Sequence, residues 1–123
     1  MTLEKSNIKK LHKLASKLWK EACFKRDGRE CQVKKHFSGI NILHSTILQV
    51  DHCFTRANKN LFYDIRNGTV VCKNCNNAKH WDNKSVGRAI DDIVRLREGD
   101  EAFIEMRKID EAQSPNVNLN KVS

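Results

Sequence analysis

Two stretches decide the fold of this chain: Leu48-Gln49-Val50-Asp51-His52, and later Asn67-Gly68-Thr69-Val70-Val71-Cys72-Lys73-Asn74-Cys75-Asn76. Each contains a short apolar run bounded by polar or turn-forming residues, which is typical of a buried strand. The first run ends in an acid and a base, and the second opens into a Cys-x-x-Cys turn. A hairpin with a long connecting loop, followed by a short helix, is therefore predicted.

Composition limits the chain to a single small, basic domain. Of its 123 residues 39% are hydrophobic and 31% are charged, so the core is modest and a bound metal ion would help to stabilise it. The net charge is +8, and residues 1–50 account for +7 of it with 11 basic and 4 acidic side chains. This excess predicts a polyanionic partner such as nucleic acid, although a lysine-rich solvated helix face is the alternative.

The sequence also excludes several classes of protein. No run approaches the roughly 20 apolar residues of a membrane span, and the first residues lack the apolar core of a secretion signal. Five cysteines in such a chain indicate metal binding before disulfide bonds. We expect a cytoplasmic protein without a membrane partner, and either a monomer or a homodimer fits the sequence.

Helical periodicity is present on both sides of the hairpin. Apolar residues recur every three or four positions in the segment 6–27, which predicts a long basic amphipathic helix. The same spacing predicts C-terminal helices over 85–111, whereas 113–123 is polar and is expected to be a disordered tail. The prediction is one α+β domain over 1–112, with its core at 47–81.

The polar residues at the strand ends match the needs of phosphodiester hydrolysis. A base must take the proton of the attacking water, and a divalent ion must neutralise charge on the phosphate. His52 suits the first role, and Asp51 offers a hard oxygen to the ion. Because neighbouring strand residues face opposite sides, the two can serve one centre only where the strand ends or is distorted.

Three further side chains complete the predicted site. Asn67 could accept a hydrogen bond from the His52 ring and fix its orientation, although in isolation it is more often a turn residue. Asn76 and His80 are one helical turn apart, so both could face the ion. The predicted catalytic residues are His52 and Asn67, and the predicted ligands of the catalytic ion are Asp51, Asn76 and His80.

Residues 48–80 resemble the motif of the HNH endonucleases. The shared features are Asp51-His52 at a strand end, Asn67 five residues before the first cysteine of the turn, and Asn76 directly after the second. The resemblance implies a ββα-metal fold, with His52 as general base and Asp51 as metal ligand. It also implies an H-N-N variant in which the Asn76 amide oxygen favours Mg²⁺ or Mn²⁺.

A narrower resemblance, over about residues 20–106, is to phage NinG/Rap recombination nucleases. It is carried by Leu61-Phe62-Tyr63-Asp64-Ile65-Arg66-Asn67, by the Cys-x-x-Cys turn and by the helix containing Arg95-Leu96-Arg97-Glu98-Gly99. It implies branched or recombination-type DNA as the substrate, and the host-cell cytoplasm if a phage encodes the chain. The alternatives are a non-catalytic zinc-knuckle DNA-binding or adaptor protein, and a ribonuclease.

The pair Cys72 and Cys75 supplies half of a tetrahedral zinc site, a zinc knuckle. The resemblance implies a second Cys-x-x-Cys before the first strand, but only Cys31 is present and Lys34 stands at the other position. His36, five residues after Cys31, could complete a site of three cysteines and one histidine. The other candidates are Cys23 and His44, and the alternative is a degenerate knuckle with free thiols.

Basic residues flank the proposed centre and are predicted to contact nucleic acid: Arg56, Lys59, Arg66, Lys73 and Lys79. Contacts of this kind neutralise backbone phosphates and give salt-dependent affinity without base preference. The sequence shows no arginine-rich recognition helix, so strong sequence specificity is not predicted.

Overall fold

The structure is a computed structural model that describes residues 2–54 and 60–113. In chain order its elements are α1 (Thr2–Asp27), α2 (Gln32–His36), β1 (Leu48–His52), a 3₁₀ turn (Ile65–Asn67), β2 (Gly68–Cys72), α3 (Lys73–His80), α4 (Lys84–Glu98) and α5 (Asp100–Gln113). The described part of the chain is mostly helical and contains one two-stranded antiparallel sheet. None of its helices is both long and apolar enough to cross a membrane.

The helices lie close to where the periodicity predicts them. α1 begins four residues before the predicted start and ends at the predicted Asp27, and α4 and α5 together cover 85–111. They are separated at Gly99, whose φ of +93° is a conformation that favours glycine. Residues 114–123 of the predicted tail lie outside the described residues.

β1 and β2 form the predicted hairpin, in which Leu48 lies opposite Cys72 and His52 lies opposite Gly68. The connecting loop is long, and its two ends meet where the Cys53 N–H donates to the Asn67 carbonyl at 2.8 Å. Asn67-Gly68 is therefore not a tight turn, because Gly68 is the first residue of β2 with a φ of −107°. The glycine is needed here for another reason.

Gly68 marks the closest approach of α1 to the hairpin. A Cβ at this position would lie 2.6 Å from both the Cys23 Sγ and the Trp19 Cζ2. These two side chains pack with Val70 in a buried cluster between α1 and β2. Any side chain larger than hydrogen would push the helix away from the strand.

We expect Gly68→Ala to destabilise the domain by about 1–3 kcal/mol, the usual cost of overpacking a core. Urea unfolding followed by circular dichroism measures this difference. The matched control is Gly39→Ala, because a Cβ there meets no atom within 4 Å; its unfolding free energy should change by less than about 0.5 kcal/mol. Equal stability of the two variants would mean that α1 shifts without cost.

α4 connects the two remaining apolar clusters. Its Val86, Ile90 and Ile93 pack against the segment after Cys31 and against β2. Its Val94 packs with Leu61 of the loop and with α5, through Phe103 and Met106. α4 thereby fixes both ends of the hairpin relative to α5.

Among the described side chains of α1, the buried apolar residues lie in its last turns, from Trp19 onward. Trp19 and Cys23 are 3% and 0% exposed. The apolar residues nearer the N-terminus are instead more than half exposed: Ile8, Leu11, Leu14 and Leu18. The amphipathic pattern predicts an apolar face along the whole helix, but the hairpin is short and covers only its last turns.

Candidate active site and cysteine–histidine cluster

β1 turns its side chains alternately towards α1 and α3. The His52 ring stacks on the Trp19 ring of α1, with centroids 4.2 Å apart and planes inclined by 14°. The neighbouring Asp51 faces α3, where its Oδ2 lies 2.6 Å from the Lys79 Nζ. This is the alternation expected of an undistorted strand.

Both side chains nevertheless reach the same cavity, of about 620 Å³, which runs along β1. α1 contributes Trp19 and Lys20 to its walls. The cavity also brings together four residues predicted for the site: Asp51, His52, Asn76 and His80. The alternation of the strand therefore does not separate the acid from the base, because the cavity is open to both faces of β1.

His52 is held by the main-chain carbonyl of Phe62. Its Nε2 lies 3.0 Å from this oxygen, and the Phe62 ring packs against the imidazole at 4.7 Å between centroids. A carbonyl oxygen only accepts, so Nε2 carries a proton, and in the neutral form of the ring the lone pair is on Nδ1. The fixed ring is thereby set in one tautomer.

Asn67 acts on the His52 ring through the loop and not through the direct hydrogen bond that the sequence predicted. The side chain is fully buried, and its Oδ1 accepts from the Phe54 N–H at 2.7 Å while Nδ2 donates to the Leu61 carbonyl at 3.0 Å. Asn67 thus ties the two ends of the loop together. Because Leu61 directly precedes Phe62, the amide positions the carbonyl that holds His52.

Asp51 is 4% exposed, and its counter-ion is Lys79. The ammonium also donates to the His52 carbonyl at 2.8 Å. Burial raises the pKa of the Asp51 carboxyl, and the Lys79 charge opposes this effect. Lys79 was predicted to contact nucleic acid, but in the structure its charge neutralises the carboxylate.

Asn76 carries a buried amide oxygen that finds no hydrogen-bond partner in the described part of the chain. Its Nδ2 donates to the Gln49 Oε1 at 2.7 Å, which leaves Oδ1 unpaired. Such an atom costs about 1–3 kcal/mol, so buried oxygens are rarely left unsatisfied. A hard divalent ion would satisfy it, because such ions take amide and carboxylate oxygens as ligands, and Asp51 lines the same cavity.

His80 lines the same cavity, although its side chain is exposed. A charge on His80 opposes the rise that burial causes in the pKa of Asp51. His80 is therefore close enough to the carboxylate to act on it electrostatically, from the open side of the cavity.

The other residues predicted to contact nucleic acid differ in their exposure and in their partners. Lys73 is exposed at the start of α3. Arg66 is bound by Asp64 at 2.8 Å and lies 3.8 Å from Glu105, so its guanidinium fixes the turn before β2. Arg56 and Lys59 lie outside the described residues. Lys20 of α1, which was not among the predicted contacts, lines the cavity.

The second cluster of functional side chains lies at the other end of the hairpin and consists of Cys31, His44, Cys72 and Cys75. The Cys31 and Cys75 sulfurs are 3.8 Å apart, and the His44 Nδ1 lies 3.4–3.9 Å from the three sulfurs. Zinc bond lengths in a regular tetrahedron give about 3.8 Å between sulfurs and about 3.5 Å between sulfur and nitrogen. This cysteine–histidine cluster could hold a structural metal such as zinc.

His44 takes the place in this cluster that was predicted for His36. The His36 Nε2 lies 3.2 Å from the Gln32 Oε1, and its side chain is exposed. Cys31 immediately precedes α2, so five helical residues carry His36 about 7.5 Å along the axis and away from the sulfur. Cys23, another candidate, belongs to α1 and is instead buried with Trp19 and Val70 between α1 and β2.

The two knuckle thiols differ in acidity. Burial favours the neutral thiol, but hydrogen bonds from the Ser45 and Cys75 backbone and from His44 lower the pKa of Cys72 to about 6. Burial and the neighbouring sulfurs raise the pKa of Cys75. A bound cation would stabilise both cysteines as thiolates, because the thiolates ligate it and its positive charge compensates theirs.

Comparison with protein-family models, with curated proteins and with solved structures finds no match to this chain. The geometry of the cavity and of the cysteine–histidine cluster is therefore the basis on which a function is assigned.

Proposed function

We propose that this protein is a metal-dependent DNA endonuclease of the HNH type. The observation that carries the proposal is the convergence of Asp51, His52 and Asn76 on one cavity beside β1. The cavity thus has a positioned base, a buried carboxylate and an unpaired amide oxygen, the groups that phosphodiester hydrolysis requires.

His52 is the general base in this proposal. Its Nε2 proton is donated to the Phe62 carbonyl, so Nδ1 accepts the proton of the water that attacks phosphorus. Trp19 holds the plane of the ring by stacking, and Asn67 holds the loop that carries Phe62. The ring therefore keeps its orientation before substrate arrives, which lowers the entropic cost of the transition state.

Asp51 and Asn76 are the proposed ligands of Mg²⁺ or Mn²⁺, and His80 is the candidate for a third. When bound, such an ion neutralises charge on the scissile phosphate and on the leaving oxygen. The expected products carry a 5′-phosphate and a 3′-hydroxyl. Zinc in the cysteine–histidine cluster is the proposed structural metal, since it would fix α3 and its Asn76 relative to the hairpin.

The charge of the chain supports a nucleic-acid substrate. The net charge is +8, and Lys20 places a cation in the wall of the cavity itself. Branched or recombination-type DNA is the proposed substrate on the strength of the sequence resemblance.

The proposal is tested with supercoiled, linear, single-stranded and branched DNA, and with RNA, each incubated with Mg²⁺ or Mn²⁺ and with or without a chelator. We expect cleavage of DNA that the chelator abolishes and that Asp51→Asn lowers by about 100-fold or more, because the mutation removes the charged ligand. The matched control is Asp92→Asn, an exposed position on α4, which should cleave like the wild type.

One observation favours the non-catalytic DNA-binding alternative. The Lys79–Asp51 ion pair already neutralises the carboxylate that should bind the ion. Binding of DNA without cleavage of any substrate would support this alternative, and cleavage of RNA alone would support a ribonuclease.

A further inference from the structure

Lys79 is already paired with Asp51, the proposed ligand of the divalent ion. Its Nζ is 2.6 Å from the carboxylate Oδ2 and 2.8 Å from the His52 carbonyl. The Asp51 side chain is 4% exposed and that of Lys79 is 20% exposed, so little water screens the pair. The ammonium thus already satisfies the carboxylate on which the proposed metal site depends.

We propose that Lys79 is a built-in competitor of the divalent ion, and that a phosphate of the nucleic acid releases it. The inference rests on the proposed function, because it assumes that Asp51 is a ligand of the ion. In the unbound protein the ammonium holds the carboxylate and the ion binds weakly. With nucleic acid in the cavity, Lys79 moves to a backbone phosphate and Asp51 becomes available.

Electrostatics requires the exchange. An ammonium in hydrogen-bond contact with Asp51 and an ion bound to the same carboxylate would be separated by only a few ångströms, in a site where burial weakens screening. Two cations so close repel each other strongly. The carboxylate therefore binds one cation well at a time.

The lysine side chain is suited to such a movement. It has four rotatable carbon–carbon bonds and a compact charge that binds phosphate without fixed geometry. Lys79 lines the cavity in which the proposed substrate would lie. Binding of the ion and binding of nucleic acid are therefore coupled, and by linkage each should raise the affinity for the other.

The competition is tested by measuring Mn²⁺ affinity without nucleic acid, by calorimetry and by the electron paramagnetic resonance signal of the free ion, on protein whose zinc content has been verified. Lys79→Gln removes the charge but can still donate a hydrogen bond to Asp51, so the fold should be kept. We expect it to bind Mn²⁺ about tenfold more tightly than the wild type, or better. Lys79→Arg, which keeps the charge, should remain weak.

The matched control is Lys73→Gln, an exposed lysine on the same helix, whose Mn²⁺ affinity should stay within about twofold of the wild type. Adding Asp51→Asn to Lys79→Gln should abolish the gain, which places the ion at this carboxylate. In a His52→Ala background, where cleavage is blocked, single-stranded DNA should raise Mn²⁺ affinity, and Lys79→Gln should remove most of this rise.

The outcomes separate the inference from the proposed function. Equal or weaker Mn²⁺ affinity of Lys79→Gln, in a protein that melts normally and cleaves DNA with Mn²⁺, overturns the competition alone. Absence of Mn²⁺ binding in every variant, with or without DNA, overturns the metal-dependent mechanism together with it. Chelator-resistant cleavage that Lys79→Gln abolishes would mean that the ammonium itself replaces the ion.

Discussion

Replacing Cys75 by serine is expected to remove bound zinc and to lower the melting temperature by more than about 20 °C. The Cys75 sulfur is fully buried and lies within 4 Å of Cys31 and of His44. Serine oxygen is a poorer ligand for zinc than thiolate, so the variant keeps the shape of the side chain but loses the site. Elemental analysis and thermal unfolding measure the two effects.

The large size of the effect follows from what the cluster connects. It joins the segment before α2, the segment before β1 and the knuckle that opens α3. Structural zinc contributes about 10–16 kcal/mol in small domains, whereas whole domains are stable by only about 5–15 kcal/mol. The stabilisation free energy lost with the metal should therefore exceed what the modest apolar core can supply.

Two histidine variants show which ligand set is correct. His44→Ala should lose zinc and stability as Cys75→Ser does, whereas His36→Ala should keep both, because its ring is hydrogen-bonded to the Gln32 side chain and is not part of the cysteine–histidine cluster. Retention of about one zinc ion per chain in His44→Ala, or its loss in His36→Ala, would show that His44 is not the fourth zinc ligand.

The local elements of this fold could be predicted from the sequence. Helical periodicity places α1, α4 and α5, and the two apolar runs place β1 and β2, because these signals depend on neighbours within a few positions. The positions of Asp51 and His52 at the end of β1, and of Asn76 in the helix directly after β2, also follow from local order. The access of Asp51 and His52 to one cavity does not, because it depends on a cavity that is open to both faces of the strand.

The partners of the site residues could not be predicted in this way. Trp19 and His52 are brought together only by the packing of α1 on the hairpin. Lys79 carries a charge that suits phosphate or carboxylate equally, and only the burial of Asp51 beside α3 decides between them. His36 is nearer than His44 to Cys31 in sequence, but the short helix α2 carries His36 away from the sulfur and His44 is the histidine that reaches the cysteines.

His52→Ala is expected to lower the cleavage rate by about 10²–10⁴-fold while DNA affinity changes by less than about threefold. The imidazole accepts a proton only in the reaction, and it contributes little to neutralising backbone phosphates. Single-turnover cleavage at saturating DNA measures the first quantity, and fluorescence anisotropy measures the second. His36→Ala is the matched control, since it removes an exposed histidine that does not line the cavity.

A structural role for His52 would give a different pattern, because its ring packs between Trp19 and Phe62. Loss of stability alone would lower cleavage, DNA binding and the melting temperature together. A lost base leaves a space between the Trp19 and Phe62 rings. Imidazole added to the solution should stack on Trp19 there and restore part of the activity, more so as pH rises through the pKa of free imidazole. Undiminished cleavage by His52→Ala, or a loss that follows the melting temperature and does not respond to imidazole, would exclude His52 as the base.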